Sequence, residues 1–145
     1  MKLGHVHLKV SNLERAEEFY VNILGFKVSE SVGEEYLFLT LGEMHHDLAL
    51  RNMGEDAPHP PKNYTGLYHF ALEVENEKEL FKIAKKLEKN KIAFSTADHG
   101  ISKSLYFKDP DENGVEVYVD TRYVRKDWNG ITTKFDVESL VNGKI

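Results

Sequence analysis

The chain has 145 residues, of which 41% are hydrophobic and 30% charged, and its formal net charge is −5. This composition is typical of one globular domain, and the acidic balance argues against nucleic acid or an anionic membrane as a partner. The absence of cysteine excludes disulfides, thiolate metal sites and cysteine nucleophiles, so any metal must be bound by nitrogen and oxygen atoms.

The first half of the sequence predicts a strand, a helix and three further strands. Residues 3–10 alternate between apolar and polar side chains, which is typical of a half-buried strand. Since this alternation starts at the N-terminus, no signal peptide is expected there, and we predict a cytoplasmic protein. The helix is predicted to begin with a capping box formed by Ser11 and Glu14 and to end before Gly25. Three strand-like stretches follow, at residues 26–32, 35–42 and 47–53.

The second half of the sequence repeats the same order of elements. Residues 67–74 predict a strand, and residues 76–90 predict a helix with Asn76 as its N-cap. Three further strands are predicted at residues 91–97, 104–108 and 114–120. The stretch DPDENG is typical of a turn and joins the last two strands as a hairpin. Each half therefore reads β-α-β-β-β.

The repeat defines the predicted fold class and the domain limits. We predict an α+β fold in which two pseudo-symmetric βαβββ modules form a curled mixed sheet, with the two helices on its outer face. One domain is expected over residues 1–120, divided into module one at 1–54, a Pro-rich linker at 55–66 and module two at 67–120. Residues 121–145 show little periodicity, and we interpret them as a C-terminal tail.

One face of the predicted sheet collects polar side chains from both modules. Successive side chains of a strand point to opposite faces, and the helices are expected to cover the aliphatic face. The residues assigned to the other face are His5, His7, His69, Tyr106 and Glu116. A histidine alone on a strand is more often a solvated residue, but two imidazoles and a carboxylate from separate strands match a 2-His-1-carboxylate metal site. Such a site favours Fe(II), with Mn, Zn and Ni as alternatives, and leaves coordination positions open for catalysis.

This arrangement resembles the vicinal oxygen chelate superfamily, in which paired βαβββ modules build a metal-holding cup. The resemblance covers residues 1–120. It implies that the metal ligands lie on the first strand of each module and on the last strand of module two. In this sequence those residues are His5, His69 and Glu116.

Within that superfamily, residues 97–118 resemble the signature of type I extradiol (catechol 2,3-) dioxygenases. The signature residues, in order, are His99, Leu105, Tyr106, Asp109, Pro110 and Glu116. The sequence departs from the usual signature at Ala97 and Glu112, where glycine is common; neither residue is a ligand. The resemblance implies that a catechol-type aromatic substrate is cleaved by O2 at Fe(II). It also implies that His99 is the acid–base residue and that Tyr106 bonds the substrate.

Three further residues are assigned to substrate binding. His7 lies two positions from a predicted ligand and on the same face. His46 lies in the stretch of module one that corresponds to the last strand of module two, and Tyr118 shares a face with Glu116. The resemblance also implies a homo-oligomer. The sequence identifies neither the particular catechol nor the roles of His45 and the tail.

Two alternative functions stay open at the level of the sequence. The first is a metal-dependent isomerase or epimerase resembling glyoxalase I, which typically uses a fourth ligand, a Glu on the last strand of module one. That strand has no Glu here, and of His46 and Asp47 only one can face inward. The second alternative is a metal-free small-molecule-binding protein, like the antibiotic-sequestering members of the superfamily, which commonly lack the ligand set.

Overall fold

The structure, a computed structural model, describes residues 1–142 and divides into two compact units. Unit 1 contains Met1–Gly66 and Asp109–Asn113. Unit 2 contains Leu67–Lys108 and the described chain from Gly114 onward. The last part of the predicted tail, residues 143–145, lies outside the described residues.

Unit 1 contains a four-stranded sheet with one helix packed on it. Its elements are β1 (Val6–Val10), α1 (Leu13–Asn22), β2 (Lys27–Val32), β3 (Tyr36–Thr40) and β4 (Leu48–Asn52). The strand order is β1-β4-β3-β2, and the sheet is mixed because β1 runs parallel to β4 while the other neighbours are antiparallel. Helix α1 packs on β3 and β4.

The N-cap of α1 differs from the predicted capping box. The side chain of Asn12, not of Ser11, accepts the hydrogen bond of the Arg15 backbone N–H, at 2.8 Å. The prediction for Ser11 was wrong because its backbone N–H and its hydroxyl both bond to the buried carboxylate of Asp111. That carboxylate lies 100 positions along the chain, and the neighbouring Asn12 is an equally good cap.

Unit 2 repeats the architecture of unit 1 and adds a short helix. Its elements are β5 (Phe70–Val74), α2 (Glu77–Lys89), β6 (Phe94–Asp98), β7 (Ser102–Lys108), β8 (Gly114–Asp120) and α3 (Ser139–Asn142). The strand order is β5-β8-β7-β6, with β5 parallel to β8 and the others antiparallel. Asn76 caps α2, as predicted, by accepting from the Glu79 backbone N–H at 3.0 Å. The predicted α+β class with two βαβββ repeats is confirmed, with one mixed four-stranded sheet in each repeat.

The core of unit 2 follows the predicted alternation along the strands. Helix α2 packs on β5, β7 and β8. On β8, Val115, Val117 and Val119 are all at most 4% exposed. The residues between them, Glu116 and Tyr118, therefore point to the opposite face of the sheet. Within residues 1–142, no helix is long and apolar enough to cross a membrane.

The loop between β7 and β8 is anchored by its two aspartates, and it belongs to unit 1. The buried hydroxyl of Tyr20 donates to Asp109 Oδ2 at 2.7 Å. Asp109 Oδ1 accepts from the backbone N–H groups of Asp111 and Asn113 at 2.9 and 2.8 Å, which closes the predicted turn. Burial raises the pKa of Asp109 and, together with the nearby Asp109 carboxylate, that of Tyr20.

Candidate active site

Four predicted site residues of unit 2 form one hydrogen-bonded chain. His69 Nε2 lies 2.9 Å from Glu116 Oε2. The Tyr106 hydroxyl donates to Glu116 Oε1 at 2.8 Å, and His99 Nε2 lies 3.0 Å from the Tyr106 oxygen. The structure therefore brings His69, Glu116, Tyr106 and His99 together in that order, which we call the hydrogen-bonded chain.

Strand pairing explains why Tyr106 and Glu116 meet. The two residues are directly opposite in the antiparallel ladder of β7 and β8. Directly opposite residues of a ladder project to the same face, so their side chains are neighbours. His69 reaches the same carboxylate because it immediately precedes β5, where Ala71 pairs with Glu116.

Burial raises the pKa of the phenol in the hydrogen-bonded chain. Glu116 is only 9% exposed, and Tyr106 is half-buried beside it. Burial, with the hydrogen bond to Glu116 as the next cause, raises the pKa of Tyr106 to about 12. Tyr106 is therefore a neutral phenol at physiological pH, and its proton is donated to the carboxylate.

Gly114 allows the first residue of β8 to lie against the segment that carries His69. A Cβ atom at position 114 would lie 2.3 Å from the Tyr68 carbonyl oxygen and 3.0 Å from His69 Cβ. No side chain fits in that space. The distance between β8 and His69 thus depends on glycine at this position.

A cavity of about 500 Å³ opens beside the hydrogen-bonded chain. Its lining residues all belong to unit 2: Tyr68, His69, Ser95, Tyr106, Phe107, Lys108, Gly114 and Val115. Ligand pockets for small molecules commonly have volumes of roughly 300–1,000 Å³, so this cavity is large enough for a single aromatic ring.

Two residues that contact His99 come from beyond the repeated modules. Thr132 Oγ1 lies 2.8 Å from His99 Nδ1. The Trp128 ring meets the His99 ring edge-on, with 6.1 Å between centroids. Thr132 was not predicted, because it lies in a stretch without periodicity; a sequence signal for this contact is absent.

The donor atoms of His69 and Glu116 suit a divalent metal. An imidazole nitrogen and a carboxylate oxygen are the ligands that Fe(II), Mn, Zn and Ni accept in catalytic sites, and here they already lie side by side. The third predicted ligand, His5, belongs to unit 1. Across residues 1–142, no group of three or more His, Asp or Glu side chains is arranged so that it could hold a metal ion, so the three-ligand set stays a prediction.

The other predicted histidines form a cluster within unit 1. The rings of His5 and His46 are 4.5 Å apart, and His46 Nδ1 lies 2.9 Å from His45 Nδ1. Burial, followed by the neighbouring imidazoles of His5, His45 and His7, lowers the pKa of His46. His7 is exposed, with its ring 6.1 Å from the ring of Tyr36.

Tyr118 lies on the same face of β8 as Glu116 but has a different partner. Its hydroxyl donates to Glu73 Oε2 at 3.1 Å. Burial, and then the Glu73 carboxylate, raise the pKa of Tyr118. The assignment of His7, His46 and Tyr118 to substrate binding stays a prediction.

The two repeats carry different chemistry at equivalent positions. In unit 2, Tyr106 is opposite Glu116. In unit 1, the same ladder position holds Phe38 opposite Ala49. The carboxylate and the phenol therefore occur only in the second repeat, whereas the histidine before the first strand, His5 or His69, occurs in both.

Comparison with known protein families agrees with this fold. Residues 2–117 match the Glyoxalase/Bleomycin resistance protein/Dioxygenase superfamily. The chain belongs to this superfamily. In the crystal structure of a glyoxylase/bleomycin resistance protein/dioxygenase domain from Frankia sp. EAN1pec, 98% of that chain aligns with 83% of this one, with a TM-score of 0.71 and 24% identity.

Curated relatives in the superfamily have different activities. The chain is 33% identical over 147 residues to catechol-2,3-dioxygenase of Bacillus subtilis (strain 168), which covers 96% of this chain and 50% of that protein. It is 39% identical over 84 residues to human mitochondrial methylmalonyl-CoA epimerase, which covers 52% of this chain and 47% of that protein. The chain thus spans about half the length of these two relatives.

Proposed function

We propose that the protein is an Fe(II)-dependent extradiol dioxygenase that cleaves a catechol-type aromatic substrate with O2. The observation that carries this proposal is the hydrogen-bonded chain of unit 2. It connects an imidazole suited to proton transfer, through a phenol, to a carboxylate–imidazole pair with the chemistry of metal ligands. The similarity to the Bacillus subtilis catechol-2,3-dioxygenase over 96% of the chain supports the same activity.

In this proposal His69 and Glu116 bind the metal, with His5 as the predicted third ligand. When bound, Fe(II) supplies the electron chemistry that makes O2 reactive toward the substrate ring. Both oxygen atoms of O2 enter the ring-opened product, so the reaction needs no added reductant. Mn, Zn and Ni are alternatives for the same donors, and metal analysis of protein purified without chelators distinguishes them.

In this proposal Tyr106 forms a hydrogen bond to the substrate, and His99 transfers the proton. Because Tyr106 stays a neutral phenol, it can form a hydrogen bond to a substrate oxygen without adding negative charge to the site. An imidazole can both give and take a proton near neutral pH, and His99 Nε2 is 3.0 Å from the Tyr106 oxygen. His99 would therefore hold the proton that ring opening requires, with the substrate ring in the cavity beside Tyr106.

A metal-dependent epimerase is the second candidate. The 39% identity to human methylmalonyl-CoA epimerase over 84 residues favours it. Against it, Ala49 occupies the position in unit 1 that corresponds to Glu116, so the last strand of module one lacks the carboxylate typical of a four-ligand site. An epimerase exchanges a substrate proton with solvent and consumes no O2.

The third candidate is a metal-free binding protein. A ligand that binds the native state must raise its stability. The melting temperature of the protein should therefore rise on anaerobic addition of Fe(II) if the dioxygenase proposal is right. An unchanged melting temperature would favour the metal-free alternative.

The test is anaerobic reconstitution with Fe(II), followed by catechol and then by oxygenated buffer. We expect a yellow ring-opened product, with one O2 consumed per molecule formed. His99→Ala should keep its iron and lose turnover. Absence of both colour and O2 uptake across a panel of substituted catechols would refute the proposal, and proton exchange without O2 uptake would favour the epimerase.

A further inference from the structure

The residues that follow the second repeat form part of the site around His99. We call residues 121–135 the C-terminal segment. Asp98, at the end of β6, pairs with Thr133 through two backbone hydrogen bonds of 2.7 and 3.0 Å. Thr96 Oγ1 donates to the Phe135 carbonyl at 2.8 Å. These contacts hold the C-terminal segment beside β6, immediately before His99.

This docking fixes two neighbours of the His99 ring. The Thr132 hydroxyl contacts Nδ1 at 2.8 Å, and Trp128 lies edge-on to the ring. The Trp128 indole N–H in turn donates to the Ile131 carbonyl at 3.1 Å. This hydrogen bond connects Trp128 to the residue that precedes Thr132. His99 is thus held at one nitrogen by the C-terminal segment and at the other by Tyr106.

The direction of each hydrogen bond in the chain follows from the number of protons available. The Tyr106 hydroxyl has a single proton, and it donates that proton to Glu116 Oε1. The Tyr106 oxygen must then accept from His99, which requires a proton on Nε2. A neutral imidazole with a proton on Nε2 has a bare Nδ1, and that nitrogen can only accept. The Thr132 hydroxyl is the donor to it.

We propose that Thr132 is a positioning residue that holds His99 in the tautomer with its proton on Nε2, facing Tyr106. The supporting observations are the two contacts of His99 and the hydrogen bond that the Tyr106 hydroxyl donates to Glu116. The consequence for catalysis rests on the proposed dioxygenase function: only this tautomer presents a transferable proton to the substrate side of the ring. Through Thr132, the C-terminal segment then supports the proposed active site.

Three variants test the role of Thr132. Thr132→Val keeps the shape and removes the hydroxyl, whereas Thr132→Ser keeps the hydroxyl. Thr133→Val makes the same change at the neighbouring residue, which pairs with Asp98 through its backbone and whose hydroxyl makes no hydrogen bond within residues 1–142. Circular dichroism confirms that each variant is folded.

The first readout is the His99 tautomer in metal-free protein, from ¹⁵N chemical shifts assigned by comparison with His99→Asn. We expect the Nε2-protonated form in the unsubstituted protein, in Thr132→Ser and in Thr133→Val, and a mixture of tautomers in Thr132→Val. A proton on Nδ1 in the unsubstituted protein, or an unchanged tautomer in Thr132→Val, would overturn the inference. This result does not depend on whether catechol is a substrate.

The second readout is turnover of the Fe(II)-loaded protein with catechol. Thr132→Val should lower kcat on the order of tenfold, as loss of a supporting residue typically does, with KM and bound iron nearly unchanged. Thr132→Ser should restore most of kcat. A rise in KM or a fall in iron content, without a fall in kcat, would contradict a positioning role. If the unsubstituted protein lacks dioxygenase activity, the proposed function fails while the tautomer measurement still decides the role of Thr132.

Discussion

Glu116 and Glu73 are both strand carboxylates that accept a hydrogen bond from a tyrosine, but their surroundings differ. Glu116 accepts from Tyr106 and also contacts His69 Nε2, in a buried position. Glu73 accepts from Tyr118 and is exposed. The two residues therefore form a matched pair for testing the proposal that Glu116 is a metal ligand.

We expect Glu116→Gln to lose iron and Glu73→Gln to retain it. The Glu116 substitution removes the negative charge and one acceptor oxygen next to His69, and loss of a carboxylate ligand should weaken metal binding by more than about tenfold. Iron content after anaerobic loading and desalting measures the effect. Equal iron content in both variants would mean that Glu116 is not a ligand.

Tyr20 should make the stability of the protein sensitive to alkaline pH. Burial raises its pKa well above the usual value of 10.0, so the native state holds the phenol proton more tightly than the unfolded state does. Stability is therefore full below about pH 10 and is lost as the pH rises toward the native pKa.

The variant Tyr20→Phe tests this pH dependence. At pH 7 it should be less stable by about 1–3 kcal/mol, because Asp109 loses a buried donor. Above pH 10, its stability should fall less steeply than that of the unsubstituted protein. Urea unfolding at pH 7, 9.5 and 11 measures both effects, and parallel pH profiles would contradict the role given to Tyr20.

At the scale of the elements, the approach of β8 to His69 depends on Gly114. The variant Gly114→Ala would put a methyl group 2.3 Å from the Tyr68 carbonyl oxygen. We expect a loss of about 1–3 kcal/mol in stability, typical of forced overpacking, together with weaker iron binding through displacement of His69.

Gly4→Ala is the control for that substitution. A Cβ atom at Gly4 has no neighbouring atom within 4 Å, and the residue has no left-handed backbone conformation. Its thermal unfolding should match that of the unsubstituted protein. Equal unfolding temperatures for Gly114→Ala and Gly4→Ala would show that β8 can move away from Tyr68 without loss of stability, and would contradict the role given to Gly114.

The alternation of residues in the strands made most of this arrangement predictable. Residues two apart share a face, so Glu116 could be assigned to the polar side of β8, and the hairpin turn aligned Tyr106 with it. Local capping was less predictable. Ser11 matched the capping pattern, but a carboxylate from 100 positions away bonds to it, and no local pattern encodes that contact.

The contact of Thr132 with His99 was beyond prediction for a similar reason. The C-terminal segment lacks a repeating apolar pattern, and its docking depends on a two-residue bridge between Asp98 and Thr133. Such a bridge needs no particular side chain, because it uses backbone atoms. The residues of the hydrogen-bonded chain within the repeats were predicted, and the residues that support His99 from outside them were not.

At the scale of the whole molecule, the chain crosses between its two units more than once. The loop Asp109–Asn113 belongs to unit 1, while the strands that it joins, β7 and β8, belong to unit 2. Because this loop connects two strands of unit 2, unfolding of unit 1 should destabilise the β7–β8 hairpin of unit 2. We expect a single cooperative unfolding transition.

The only tryptophan, Trp128, reports on unit 2 and makes this expectation testable. Leu39→Ala removes a fully buried side chain from unit 1 and should cost about 2–5 kcal/mol. The unfolding midpoint should shift by the same amount when it is followed by Trp128 fluorescence and by circular dichroism. Leu41→Ala changes a side chain that is 53% exposed, and it should shift the midpoint in neither measurement. If Leu39→Ala left the midpoint of the fluorescence transition unchanged, the two units would unfold independently.

The predicted homo-oligomer belongs to this scale as well. It derives from the family resemblance and stays a prediction. Sedimentation velocity across a range of protein concentrations measures it directly.

The unequal repeats have a consequence for how such a protein can change. Phe38 and Ala49 show that the first copy of the duplicated unit has no phenol or carboxylate where the second copy has Tyr106 and Glu116. Substitutions at these two positions of the first repeat therefore leave Tyr106 and Glu116 of the second repeat in place. Under the proposed function, the first repeat can therefore vary at these two positions while the second keeps its phenol and carboxylate, provided that His5, the predicted third ligand, is retained.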